Sequence, residues 1–224
     1  EMPNDFTIAF NSVHFEYPEN NVKALININL NIPAKSKIGI VGRTASGKST
    51  LAELLLRMYD PQSGSISIGG VDIKDLNVSA LRRKIAYVPQ DVFLFSDSIK
   101  NNILFGVDDD MLDIDNKHLT GITKVAAVHD EILGFPDQYD SIIGERGVTL
   151  SGGQKQRISI ARALINNAEI VILDDCLSAV DNITEEQIFN ELLPTLKDKT
   201  LIFITHRISQ TKNMDNVIVM SDHN

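Results

Sequence analysis

The 224-residue sequence holds a single cysteine, Cys176. No internal disulfide can form, and no zinc cluster can be built from thiolates. That usage fits a reducing compartment. Long apolar runs are also missing. The longest are short, such as Leu201-Ile202-Phe203-Ile204, far below the roughly 18 residues a bilayer span needs. Residues 1–30 lack the basic start and unbroken apolar stretch of a secretory signal. Basic charge is scarce as well: 21 Lys and Arg against 30 Asp and Glu leave a formal net charge of −9. A nucleic-acid groove needs a basic face, so nucleic acid is not expected as a partner. What is present is an ordinary globular composition, 43% apolar and 23% charged. The chain is long enough to bury a core without disulfides or a structural metal. It opens on Glu1-Met2-Pro3-Asn4-Asp5, which reads as a boundary within a longer polypeptide.

Two kinds of strand pattern run along the chain. Ile26, Ile28, Leu30 and Ile32 alternate with Asn27, Asn29 and Asn31, the mark of a half-buried strand in an antiparallel sheet. Phe6–Phe10, Val13–Tyr17 and Ser65–Ile68 are its expected neighbours. Ile38–Val41, Ile85–Val88, Ile170–Leu173, Leu201–Thr205 and Val217–Met220 are nearly continuous apolar runs, as in a parallel sheet covered on both faces. Helical patterns over 48–58, 151–166 and 184–192 separate them, which predicts α/β units. Residues 91–165 hold no clear strand and several helical segments. The expected fold is one α/β domain. An antiparallel β subdomain and a parallel-sheet core share residues 1–90 and 166–224, and a helical subdomain is inserted over 91–165. Asp108-Asp109-Asp110 with Asp113 and Asp115 reads as a solvated loop and helix start. Its spacing matches no calcium loop.

Gly42-Arg43-Thr44-Ala45-Ser46-Gly47-Lys48-Ser49 matches G-x-x-x-x-G-K-[ST], follows an apolar strand and opens a helix, with Thr50 next in line. The glycines let backbone N–H groups turn inward around a phosphate, and the helix N-terminus favours the anion. Lys48 can reach the β and γ phosphates, and Ser49 can ligate Mg2+. An acidic chain still binds an anion here, because net charge is screened beyond ~8 Å while the amides act at contact. Ile170–Leu173 ends in Asp174-Asp175, at the edge of the sheet where ligands of open α/β folds bind. Asp174 is the expected Mg2+ holder; a turn cap is plausible taken alone but weak beside the phosphate loop.

Leu150-Ser151-Gly152-Gly153-Gln154, continued by Lys155-Gln156-Arg157 and Ile160–Leu164, resembles the signature motif of the ATP-binding cassette (ABC) ATPases. Ser151 can cap a helix, and Gly152 and Gly153 expose amides to an anion. The resemblance covers essentially the whole chain and implies a P-loop NTPase (RecA-like) fold that uses ATP and Mg2+. By the same resemblance, Gln90 matches the Q-loop glutamine, which senses Mg2+ and the attacking water. Ser178-Ala179-Val180-Asp181 matches the D-loop, and His206 matches the switch histidine on the γ-phosphate. Tyr17 stands where the family stacks an aromatic on adenine; ordinary packing accounts for it about as well.

Cassettes of this family pair head to tail, with each ATP between the P-loop of one and the signature of the other. The implied partner is therefore a second nucleotide-binding domain, identical or different. Gly144-Glu145-Arg146-Gly147 resembles the X-loop of ABC exporters. Phe93–Ser96, Ser98-Ile99 and Asn101–Ile103 resemble the exporter segment after the Q-loop. These loops imply contact with the coupling helices of a transmembrane domain, N-terminal in the same polypeptide, and a place at the cytoplasmic face of a membrane. The chain ends at Val217–Asn224, earlier than typical cassettes, whose last helices follow this strand.

One position departs from the pattern. Most members carry Glu directly after the Mg2+-binding Asp, as the general base that polarises water; here it is Asp175. The carboxylate is kept but retracted by one methylene, about 1.5 Å. A misplacement near 1 Å can cost on the order of 100-fold in rate. Asp175 beside an intact signature resembles one half of the heterodimeric exporters, in which one site hydrolyses poorly. A homodimeric exporter that works adequately with Asp175 is the rival. Two other classes remain open: a soluble cassette acting on nucleic acid or the ribosome, and a regulatory ATP clamp that never hydrolyses. Cys176 reads as a buried packing residue.

Overall fold

The computed structural model describes residues 2–19, 22–105, 107, 115–144 and 147–221. Asp108–Asp110 and Asp113 of the acidic run, and Glu145 and Arg146 of the X-loop, lie outside the described residues. The chain divides into two compact units. One takes in the described residues of Glu1–Ala86, Glu169–Asp174 and Asp198–Asn224; the other comprises those of Tyr87–Ala168 and Asp175–Lys197. The second unit is wider than residues 91–165 alone, and the chain enters it again at the Asp174–Asp175 peptide bond.

The strands run, in chain order, β1 (Ile8–Tyr17), β2 (Val22–Ile32), β3 (Lys37–Gly42), β4 (Ser63–Ile68), β5 (Val71–Asp72), β6 (Ile85–Val88), β7 (Ile170–Asp174), β8 (Thr200–Thr205) and β9 (Asn216–Met220). They form two sheets. The first has the order β2-β1-β4-β5 with antiparallel neighbours. The second has the order β6-β7-β8-β3-β9, and β7–β8, β8–β3 and β3–β9 are parallel.

The β1–β2 pairing shifts register at three places, between Phe10 and Val13, Val13 and Phe15, and Phe15 and Glu16. β1 is one strand and not the two short ones expected. Phe10 pairs with Leu30 and Val13 with Ile28, so β1 carries an extra residue near Ser12, which turns to φ 49°. The Ser12 amide donates to Asn29 Oδ1 at 2.9 Å. β2 bulges in turn: Val13 pairs with Ile28 and Phe15 with Leu25, and Asn27 sits at φ 54°. An extra residue flips every later side chain to the opposite face. Leu25 therefore takes the buried place and Ile26 is left 42% exposed, so the alternation expected from Ile26 onward fails at its first member. Gly64 (φ 83°) lies where β4 meets the β1 bulge; a Cβ there would stand 2.5 Å from the carbonyl oxygens of Asn11 and Ser12.

β7 and β8 are buried along their whole length and β3 up to Gly42, which is why they read as unbroken apolar runs. β9 is one of the two edge strands, and Val219 is 75% exposed. The expected burial on both faces does not hold there. Helix α1 (Lys48–Leu55) follows β3 directly and buries Leu51, Ala52, Leu54 and Leu55. It is shorter than the 48–58 pattern. Helix α2 (Val78–Arg83) precedes β6 and is capped by the Asn77 side chain.

The second unit holds α3 (Ile99–Leu104), α4 (Asn116–Val125), α5 (His129–Leu133), α6 (Gly152–Ile165) and α7 (Asn182–Thr195). Ile99, Ile103, Ile132, Ile158 and Ile188 are fully buried in it. Among the described residues no strand forms between 91 and 165; isolated bridges join Ser98 to Ile142 and Ile143 to Val148. Ser98, Asp115, Ser151 and Asp181 cap α3, α4, α6 and α7 with side-chain oxygens, placing each helix start where a short polar residue can accept a first-turn amide.

Candidate nucleotide-binding site

Strand register brings the first unit's functional groups to one edge. Asp174 pairs with Ile204, Ile204 with Ile40, and Ile40 with Ile218. One row further on lie Thr205, Val41 and Val219, and then Gly42 opens the phosphate loop beside Met220. The loop, Asp174 and His206 therefore all leave the sheet at its C-terminal edge. A groove of about 920 Å3 lies there, lined by Gly42, Arg43, Thr44, His206, Ile208 and Val219 among others. Thr205, wholly buried, bonds Gln210 Oε1 and accepts the Arg207 amide. That turn leaves His206 exposed at the groove.

The loop is shaped for an anion. Ala45 (φ 66°) and Gly47 (φ 88°) both adopt left-handed backbone, and Gly47 is the N-cap of α1. A Cβ on Gly47 would stand 2.5 Å from the Ala24 carbonyl oxygen, so only glycine fits. No side chain caps α1 or α5, and of these two only α1 holds no acid in its first turn, whereas α2, α3, α4, α6 and α7 are each capped by a side chain. An uncapped helix start behind a glycine turn offers its amides and its dipole to a phosphate. The Lys48 ammonium lies inside the turn, donating to the Gly42 and Arg43 carbonyls at 2.9 and 2.6 Å. Ser46 is buried against it, with Oγ at 3.4 Å.

The donor set also fits Mg2+. Asp174 is 2% exposed at the end of β7, and Ser49 lies in the first turn of α1. Among the described residues no group of three or more His, Cys, Asp or Glu side chains could hold a metal. Mg2+ needs no such cage: it is held by one or two protein oxygens, phosphates and water.

Tyr17 ends β1 against α1. Its hydroxyl donates to Glu53 Oε2 at 2.7 Å and lies 2.9 Å from Thr50 Oγ1. Its ring stands edge-on to Phe15 and Tyr59, at 4.9 and 5.5 Å between centroids. Burial pushes the phenol up to about 12; the Thr50 hydroxyl pulls it part-way back and the Glu53 carboxylate pushes it further. Tyr17 thus combines packing with an anchor on the helix that carries the phosphate loop. Glu53 was not singled out by the sequence, because an acid one turn along α1 carries no motif.

The second unit holds the other expected groups. Gln90 follows β6 and is exposed. Ser151 caps α6: its Oγ accepts the Gln154 amide at 3.1 Å, while Gln154 Oε1 accepts the Ser151 amide at 2.8 Å. This capping box places Gly152 and Gly153 in the first turn, where helix amides have no partner within the helix. Gln154 Nε2 donates to Glu131 Oε2 at 2.7 Å, and the Arg157 guanidinium reaches Glu131 Oε1 at 2.6 Å. Partial burial pushes the Glu131 carboxyl up, but Arg157 and Gln154 together outweigh it and hold the carboxyl below its ordinary value. Glu131 lies 23 residues before Gln154, too far for sequence spacing to have linked them. Asp181 Oδ1 accepts the Ile183 and Thr184 amides at 3.1 and 3.0 Å. The bonds from Thr184 hold its carboxyl below the usual range. Asp175 is half-buried with φ 45°.

The description of the ABC transporter family matches residues 25–178, which include the phosphate loop, Asp174, Asp175 and the Ser151 turn. The chain belongs to the ABC transporter family. It is 42% identical over 219 residues to the mitochondrial iron-sulfur clusters transporter ABCB7 of Rattus norvegicus, covering 98% of this chain and 28% of that protein. It is 44% identical over 213 residues to the ABC multidrug transporter MDR5 of Trichophyton rubrum, covering 92% of this chain and 16% of that one. Among solved structures, a bacterial Atm1-family ABC exporter with ATP bound matches 98% of this chain and 38% of its own, at 37% identity and a TM-score of 0.91. The chain thus spans under a third of the length of these curated relatives. As a member of this family it is an ATP-binding domain that uses ATP with Mg2+.

The cassette also carries an aromatic patch after Gln90. Phe93, Phe95 and Phe105 are exposed, with centroid spacings of 5.1 Å between the first two and 4.3 Å between the last two. The Arg162 guanidinium, from the last turn of α6, lies 5.9 and 5.8 Å from the Phe95 and Phe105 rings. It donates to the Asn102 and Phe93 carbonyls at 2.7 and 2.9 Å. Buried Asn102 accepts the Phe95 amide at 2.8 Å and donates to the Phe95 carbonyl at 3.0 Å. Gly144, first of the X-loop-like run, could carry no Cβ without approaching Ser96 Oγ to 2.6 Å.

Proposed function

We propose that this cassette is the ATP-driven motor domain of an ABC exporter, working as half of a head-to-tail pair. The observation that carries the reading is a division of labour between two helix starts. The uncapped start of α1 and its phosphate loop belong to one unit, and the capped, glycine-bearing start of α6 belongs to the other. Each is a half-site for an anion, and a second cassette supplies the complement of each.

At the phosphate loop, Lys48 exchanges the Gly42 and Arg43 carbonyls for the β and γ phosphates of ATP. Ser49 and Asp174 would hold Mg2+, which supplies neutralisation of phosphate charge. Asp175 accepts a proton from the attacking water, Gln90 orients that water, and His206 holds the γ-phosphate. Tyr17 stacks on adenine, and Ser151, Gly152, Gly153 and Gln154 close over the partner's ATP. Binding energy that depends on the closed pair draws the halves together, and hydrolysis releases them. The short carboxylate of Asp175 makes hydrolysis at this P-loop slow, the behaviour expected of the weaker site in a heterodimer.

The exposed Phe93, Phe95 and Phe105 receive the coupling helices of a transmembrane domain in the same polypeptide, which places the cassette at the cytoplasmic face of a membrane. An exposed aromatic patch supported from behind by Arg162 and Asn102 suits a protein interface.

Phosphate release measured against protein concentration with Mg-ATP tests the pairing. The expected rate rises as the square of concentration in the dilute range. A rate linear in concentration, with ATP bound, refutes the head-to-tail reading. Bound ATP without any phosphate release, even beside a Glu-bearing partner, favours the regulatory clamp.

A further inference from the structure

The Gln156 side chain fastens the D-loop-like segment to the helix that starts after Ser151. Gln156, in the second turn of α6, is 7% exposed. Its Nε2 donates to Ser178 Oγ at 3.0 Å, and its Oε1 accepts the Ala179 amide at 3.0 Å. The Ala179 N–H can only donate, so the amide orientation is forced. The signature glycines press on the same spot. A Cβ on Gly152 would meet Ala179 Cβ at 3.3 Å, and one on Gly153 would meet the Ala179 carbonyl oxygen at 2.9 Å. Those glycines thus have a second reason to be glycine, beyond exposing their amides.

Resting on the motor reading above, we infer that Gln156 is a positioning residue for ATP hydrolysis. Its amide locks Ser178-Ala179 to the signature helix, and so fixes Asp175, three residues earlier on the same segment, relative to the Ser151–Gln154 turn. The unit assignment supports this: Asp174 belongs with the phosphate loop, whereas Asp175 through Lys197 belongs with the signature helix. A segment that changes unit at one peptide bond, with Asp175 in left-handed backbone, needs a fastening on its far side if the carboxylate is to keep one position. Gln156 provides two hydrogen bonds for that purpose. It acts through Asp175 and touches no substrate.

The test uses the full-length transporter paired with itself, so that all turnover runs through Asp175, with Gln156→Ala, Ser178→Ala, the double variant and Gln156→Glu. ATP turnover is measured well below the melting temperature, beside hydrogen exchange of the 176–181 peptide. Gln156→Ala is expected to lower kcat roughly tenfold, as a small displacement of a reacting group does. KM should change by less than about twofold, because ground-state binding at the phosphate loop is untouched. Exchange at 176–181 should quicken by about tenfold as the local opening free energy falls. Ser178→Ala, a milder change that leaves the helix intact, should lower kcat by about threefold, and the double variant should be no worse than Gln156→Ala, since the pair acts as one contact. Gln156→Glu should recover most of the rate, because a carboxylate accepts from both the Ala179 amide and the Ser178 hydroxyl. Faster exchange with unchanged kcat makes Gln156 a packing residue and overturns the inference, as do unchanged exchange or additive effects. If the unmodified transporter turns over no ATP, the motor reading fails and takes this inference with it; a flat response confined to the variants overturns this inference alone.

Discussion

Lengthening the carboxylate at position 175 separates two effects that oppose each other. Asp175→Glu extends the carboxyl by about 1.5 Å. If its retraction limits the reaction, restoring near-attack geometry is worth roughly 100-fold in rate, or about 2.7 kcal/mol of barrier. The backbone pulls the other way. Position 175 holds φ 45°, a conformation that costs an ordinary L-residue roughly 1–2 kcal/mol and that Asp and Asn ease by local hydrogen bonding. Glu loses that relief. For a domain of this size each kcal/mol is about 2–4 °C in Tm, so the variant should melt roughly 2–8 °C lower while hydrolysing faster. Asp175→Asn is the control: it keeps the left-handed preference and Tm, but drops hydrolysis to the floor because it cannot take a proton. Phosphate release at saturating Mg-ATP and calorimetric melting read the two effects separately. A Glu variant that binds ATP with no gain in rate refutes the geometric argument. A Glu variant with unchanged Tm refutes the backbone argument.

Lys48→Ala should weaken ATP binding by at least about 100-fold in a fluorescent-nucleotide titration, because a charge-assisted phosphate contact is lost. Tyr17→Phe removes the bonds to Glu53 and Thr50 and should cost about 1 kcal/mol of stability, while ATP affinity stays within about threefold; Tyr17→Ala should weaken ATP binding as well. Glu131 has a folded pKa held below its ordinary value, so its contribution is present above the unfolded pKa and is lost as pH falls through the folded one. Chemical denaturation against pH should therefore show unmodified protein and Glu131→Gln converging at acid pH and separating toward neutrality. Gly64→Ala should destabilise the antiparallel sheet, since its Cβ would stand 2.5 Å from two carbonyl oxygens at φ 83°; a melting curve unchanged from the parent refutes that.

Much of this cassette is legible in consecutive residues. The phosphate loop is a local turn between an apolar strand and a helix, so its eight residues alone carry its shape, and the structure sets it between β3 and α1. The same holds for the Ser151 cap, where donor and acceptor are three residues apart. The buried strands β7 and β8 announced themselves because both faces are covered and every side chain must be apolar. Other features depend on where distant segments meet. Ile26 faces solvent because bulges shift the β1–β2 register, and an alternating pattern reads the same with or without an extra residue. β9 is largely exposed while β6, at the other edge of the same sheet, is largely buried, a difference of packing that neither strand carries in its own sequence. Glu131 carries no sequence signal, and Gln156 shows only its place in the signature-like run, because each works across more than 20 residues of chain. Sequence by itself determined the chemistry-bearing turns, since a turn is built from neighbours. Tertiary structure alone decided which body carries Asp174 and which carries Asp175, because that division rests on packing between segments far apart in the chain.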